Sequence, residues 1–130
     1  MRAGSHDYQK LANKIILLDK SIRYCGIVDQ LGEILAQDHR TRLNPILTIN
    51  DWNRRALHFA IRYSQSRSWE EHLGRLQYHV SRYDKIITAA VRIGNHHLLI
   101  VSFDHDTEYF DKLLTKRIIP LLEDYRLIVH

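Results

Sequence analysis

Apolar residues recur along the chain first every three or four positions, then every two, then every three or four again, and the changes of period mark out its elements. Tyr8, Leu11, Ala12, Ile15, Ile16 and Leu18 share one helical face behind a cap at Ser5 or Asp7, which predicts an amphipathic first helix ending near Asp19. The stretch SIRYCGIVDQLGEILAQDHR predicts two strands around a turn at Asp29 to Glu33, where Gly32 supplies the positive backbone angle of a tight reversal. After a loop through Asn44 and Pro45, a long helix is expected, with Asn50 or Asp51 as its cap and Gly74 as its stop. A capping-box pattern from Ser68 to Glu71 predicts a break or a new start near Ser66. Strands follow at Leu76 to Tyr83, Lys85 to Ile93 and His97 to Asp104, with Gly94-Asn95 turning the second into the third. The final helix begins near Thr107 and carries Phe110, Leu113, Leu114, Ile118, Leu121 and Leu122, with Pro120 bending it or opening a new first turn.

In the last strand, Leu98-Leu99-Ile100-Val101 is apolar on both faces, the pattern of a strand covered from both sides, so it is expected at the centre of the sheet. The surrounding stretch VRIGNHHLLIVSFDHD holds three histidines and two aspartates and raises the question of a metal site. Extended backbone argues against one. At about 3.3 Å per residue His97 and His105 fall roughly 25 Å apart. His96 and His97, being adjacent, point to opposite faces, whereas metal ligands converge at about 2.0–2.3 Å. Asp104, His105, Asp106, Thr107 and Glu108 are read instead as cap and first-turn groups of the next helix. No metal or other cofactor is expected.

The long helix carries more apolar surface than one sheet needs. Phe59, Trp52, Tyr63, Ala56, Ala60, Leu57 and Ile61 occupy an arc of roughly 200°, against a stripe of about 100° for a helix lying on one sheet. Leu57, Ala60, Ile61 and Ser64 are assigned to the sheet, which leaves Trp52, Phe59 and Tyr63 to meet a second copy, with Ala56 allowing close approach. The strand from Leu76 to Tyr83 adds its edge to this contact. The expected dimer interface is therefore Trp52, Ala56, Phe59, Tyr63, Tyr78 and Val80. Arg54, Arg55, His58, Arg62 and Gln65 lie on the other side of the helix.

A length of 130 residues with 45% hydrophobic content suits a single domain, placed at 7–130 behind a disordered lead-in of Met1 to His6. The sole cysteine, Cys25, excludes an internal disulfide. No apolar run reaches the roughly 18–20 residues of a membrane span, and the N-terminus lacks the order of a secretory signal, so the expected location is the cytoplasm. The net charge of +4 is local: from Arg40 to Lys85 there are nine Lys or Arg against four acids. Arg54, Arg55, Arg62 and Arg67 thus form a face for a polyanion or a partner protein. Stacking by Trp52, Tyr63 or Trp69 would complete a nucleic-acid reading. A small-molecule sensor is a third reading, opposed by a core that looks fully stocked with Ile, Leu and Tyr. An enzyme is not expected. Cys25 with His79 as its base lacks a third orienting group, Asp29 and Glu33 belong to a turn, and the chain shows no Gly-rich phosphate loop and no Ser-His-Asp order.

The order helix, two strands, helix, three strands, helix resembles the roadblock (dynein light chain type) domain within the longin- and profilin-like group. SIRYCGIVDQLGEI, GRLQYHVSRYDKI and HHLLIVSF resemble a family of short archaeal proteins of unassigned function, over about Tyr8 to Tyr125. The roadblock resemblance implies an α/β (α+β) fold, with one five-stranded, mainly antiparallel sheet in the order 2-1-5-4-3 and helices on both faces. It also implies homodimers in which the long helices pair and the third strands join two sheets, and a platform role, often for small Ras-like GTPases. The expected function is a non-enzymatic homodimeric scaffold binding another protein.

Overall fold

The computed structural model describes residues 5–41 and 43–129. Helix α1 (Ser5–Ile16) leads into strands β1 (Ile22–Asp29) and β2 (Ile34–His39), then the long helix α2 (Ile49–Ser66). A 3₁₀ turn (Arg67–Trp69) and the short α3 (Glu70–Leu73) precede β3 (Tyr78–Arg82), β4 (Ile86–Ile93) and β5 (His97–Asp104). The C-terminal helix is α4 (Phe110–Leu113), a π-helical stretch (Leu114–Ile118) and α5 (Ile119–Val129). Among the described residues the strands form one sheet in the order β2-β1-β5-β4-β3, with antiparallel neighbours throughout. This is the order the resemblance implied, with β5 at the centre as its composition predicted. Ser5 and His6 already belong to α1, so the lead-in expected there does not extend to them, and residues 1–4 lie outside the described residues.

Local chemistry explains where the elements turn. Asp29 Oδ1 accepts from the Leu31 and Glu33 amides at 3.0 and 2.9 Å, and Gly32 takes φ +87° in the reversal between β1 and β2. A Cβ on Gly32 would also stand 2.7 Å from the Leu57 Cα, so the bare glycine lets the hairpin tip press against α2. Helix α2 is capped not by Asn50 or Asp51 but by Thr48. Its hydroxyl accepts from the Asp51 amide at 3.1 Å while the Asp51 carboxylate accepts from the Thr48 amide at 2.9 Å. The break near Ser66 is present, but Ser68 does not cap α3; its hydroxyl donates to the Gln65 carbonyl at 3.0 Å.

The acidic cluster after β5 also behaves differently from its reading as a cap. Asp104 closes β5 and pairs with Arg23 at 2.8 Å, and the next helix starts only at Phe110, without a side-chain cap. Pro120 sits just past the π-helical stretch. It lacks an amide and its ring crowds the carbonyl four residues back, so widening the preceding turn accommodates it within a continuing helix.

The sheet separates two cores. One face packs Ile22, Cys25, Ile27, Ile87, Leu99 and Phe103 with residues of α1 and the C-terminal helix. The other packs Tyr24, Val28, Ala90, Leu98 and Ile100 beneath α2. The two sheet edges differ as well. On β2, the Gln9 side-chain amide of α1 donates to the Gln37 carbonyl at 3.0 Å. β3 pairs with β4 alone among the described residues. The Gln77 carbonyl accepts from the Arg92 amide and the Tyr83 amide donates to the Ile86 carbonyl, so by alternation the backbone groups of Tyr78, Val80 and Arg82 face outward.

Candidate interaction surface

Trp52, Ala56, Phe59, Ala60 and Tyr63 form the buried face of α2, while Leu57 and Ile61 are each 50% exposed. Of the residues expected on the sheet, Ala60 is buried but Leu57, Ile61 and Ser64 are exposed, and Trp52, Phe59 and Tyr63 take their place. The strands help explain the exchange: beneath α2 the sheet sets the small Gly26, Thr88, Ala90 and Ser102 among Tyr24, Val28, Leu98 and Ile100, and the low positions leave depth that large rings fill. Trp52 lies flat on Tyr24, with centroids 4.0 Å apart and planes 5° from parallel. A Cβ on Gly26 would meet the Tyr24 hydroxyl at 2.6 Å, so this glycine admits the phenol, which donates to Gln37 Oε1 at 2.7 Å.

The six residues expected at a dimer interface therefore separate. Trp52, Ala56, Phe59 and Tyr63 are covered by their own chain. Tyr78 packs against the core on the far side of the sheet, and Val80 stands exposed on the free edge. Beside the exposed Leu57 and Ile61, what reaches solvent along α2 is basic. Arg54, His58 and Arg62 form one ridge at four-residue spacing, all exposed. Beside it the half-buried Arg55 guanidinium lies 5.8, 5.1 and 5.3 Å from the Trp52, Phe59 and Tyr83 rings. Arg55 also donates to the Tyr83 hydroxyl at 3.5 Å, and that bond, followed by its charge, holds the phenol below its ordinary range. Arg67 is exposed at the end of the same helix.

His79, from β3, fits into this seam with its ring 5.6 Å from Phe59. Burial, then the charges of Arg62 and His58, lower its basicity. Tyr83 and His79 were not foreseen as members of this surface; the signal was their alternate spacing on β3, which puts both on the α2 side.

The histidines at the start of β5 take separate neighbours: His97 contacts the Tyr8 hydroxyl at 3.3 Å and His96 the Gln30 amide oxygen at 3.3 Å. Cys25 is fully buried and donates to the Ala12 carbonyl at 3.2 Å, and burial pushes its thiol well above the usual range. It faces α1, on the opposite side of the sheet from His79, so the two do not form a nucleophile–base pair. No helix among the described residues is long and apolar enough to cross a membrane.

No protein-family model and no curated protein matches the chain. Solved structures do. The gliding protein MglB of Thermus thermophilus superposes with a TM-score of 0.74 at 18% identity, over 98% of this chain and 94% of the other. A roadblock/LC7 domain from Streptomyces avermitilis gives 0.72 at 14% identity, over 92% and 94%. The chain has the roadblock/LC7 fold. A more distant likeness is to Schizosaccharomyces pombe profilin, with a TM-score of 0.58 at 15% identity over 92% of this chain and 96% of the other, so the fold is also profilin-like.

This roadblock/LC7 scaffold also carries a surface feature outside its two packed cores. A cleft of about 590 Å³ opens between the β1–β2 end of the sheet, the N-terminus of α2 and the segment leading into it. Nothing in the periodicity of the sequence marks it, because its roof is irregular chain.

Proposed function

We propose that the chain is a non-enzymatic scaffold that pairs with a copy of itself through the open edge of β3 and the α2 flank beside it, and that the pair holds a further protein. The unpaired outward groups of Tyr78, Val80 and Arg82 carry this reading, because an exposed strand edge is a template for another strand. The charge order along α2 supports it. Asp51 lies at the N-terminal end of the flank and Arg62 at the C-terminal end. If two such helices run antiparallel and cross between Arg55 and His58, each Asp51 falls level with the partner's Arg62.

A small Ras-like GTPase is the further protein that the roadblock resemblance implies. The nucleic-acid reading loses support from the burial of Trp52 and Tyr63, which withdraws two of its three stacking groups. Light scattering on the full chain is the test: about twice 15.5 kDa is expected. Val80→Pro deletes an outward amide without touching the β4 ladder, so it should give a folded protein at half that mass. A wild type that stays at 15.5 kDa, or a Val80→Pro variant that remains paired, would overturn the proposal.

A further inference from the structure

The cleft beneath the segment 43–49 has charged residues on its border and no charge to offer a ligand. Arg23 pairs with Asp104 at 2.8 Å and donates to the Asn44 carbonyl at 3.0 Å. The Arg40 guanidinium turns away to the end of α1 and the turn after it, where it donates to the carbonyls of Ile16 and Asp19 at 2.8 and 2.6 Å. Asp38, as the partner of Cys25 in the ladder, directs its carboxylate to the opposite face of the sheet. His39 stands exposed at the rim, where water solvates it. An ionised ligand would therefore leave water without gaining a counter-charge.

The neutral polar groups are largely committed as well. The Tyr24 hydroxyl donates to Gln37 Oε1 at 2.7 Å, and the Thr48 hydroxyl accepts from the Asp51 amide at 3.1 Å. Ser102 on the floor is buried. What remains to meet a ligand is hydrocarbon. The inner wall is the border of the Tyr24–Trp52 stack with Ile86. The outer wall is Leu43, Ile46 and Ile49, which are 37%, 43% and 64% exposed. An apolar body between the walls takes apolar surface from water on both sides. At about 590 Å³ the space lies within the roughly 300–1,000 Å³ of small-molecule sites.

We propose that this cleft binds an uncharged, largely apolar small molecule, of medium-chain or fused-ring type, between the Tyr24–Trp52 stack and the 43–49 segment. N-phenylnaphthylamine and anilinonaphthalene sulfonate share a skeleton and differ by one sulfonate, so the two probes isolate the effect of charge. The uncharged amine should bind saturably to one site, and the sulfonate about tenfold or more weakly. Decanol should displace the amine, whereas decanoate and decylammonium, of opposite charge, should each do so about tenfold less well. Ile46→Glu and Ile46→Lys alter a partly exposed residue of the outer wall, and each should weaken the amine by about tenfold, whichever the sign. Leu73→Glu, at an exposed apolar residue outside the cleft, should leave its binding unchanged. The proposal is overturned if the amine shows no saturable binding up to its solubility limit, or if the sulfonate or either charged chain binds as well as its uncharged counterpart. It is equally overturned if both Ile46 variants bind as tightly as the parent, or if Leu73→Glu weakens binding as much as they do, since either result would place the probe on other exposed apolar surface.

Discussion

Toward α1 and α5 the sheet presents Ile22, Ile27, Ile87, Val91, Leu99 and Phe103, while toward α2 it intersperses Tyr24, Val28, Ile86, Leu98 and Ile100 with the small Gly26, Thr88, Ala90 and Ser102. The contrast decides what each helix must bring. Where the strands are tall, helices with ordinary aliphatic stripes close the core. Where the strands are low, α2 has to supply Trp52, Phe59 and Tyr63, and the polar tips that accompany such rings and their neighbours become stranded. Among the described residues, Arg55 Nε, Tyr63 Oη, His79 Nε2 and Thr88 Oγ1 are buried without partners on the α2 side, against His97 Nδ1 alone on the other. Unsatisfied groups cost stability, so the α2 side carries more of this cost than the other.

The contrast can be broken most directly by cutting equal rings from each side. Phe103→Ala should cost about 3–5 kcal/mol in urea unfolding, since a tight aliphatic core cannot refill the space. Phe59→Ala should cost less, because water entering the α2 side would hydrate Arg55 and His79. Equal costs would show that the two cores are equally dry.

A smaller effect comes from exchanging one hydroxyl for one methyl. Thr88→Val should stabilise the protein by about 1 kcal/mol by removing an orphaned hydroxyl, while Val101→Thr, which adds one to the aliphatic side, should cost about 1–3 kcal/mol. Destabilisation by Thr88→Val would mean that its hydroxyl has a partner in solution.

The gentlest probe is pH. Burial, then Arg62 and His58, disfavour protonation of His79 in the folded chain. The unfolded chain therefore binds more protons below the ordinary histidine value of 6.5, and stability should decline as pH drops from there through the lower folded value. His97 contributes in the same sense through its own burial, from the other face. His79→Gln should flatten part of the decline and leave the rest; an unchanged profile would remove His79 from the account.

The features readable from sequence were those whose cause is local. Leu98 to Val101 announced a central strand because both of its faces needed cover, and Asp29 with Gly32 announced the first reversal. Thr48 is harder to see as a cap than Asn50 or Asp51, because the box it forms has Asp rather than Glu at its third position. The face of α2 was misjudged for a different reason. An arc of apolar residues says that a helix is covered but not from which direction, and the answer lay in small residues on three distant strands. The cleft was hidden for the same kind of reason, since its walls belong to segments that meet only after folding.

The unequal treatment of the two sheet margins has a consequence for how far association can go. One margin is occupied at Gln37 by the amide of Gln9, whereas among the described residues β3 has no strand beyond it. A ribbon with a single receptive border can be extended once; after two copies join along it, each outer border is a guarded one. Pairing of the kind proposed above would therefore close into a finite pair and would not propagate into fibres.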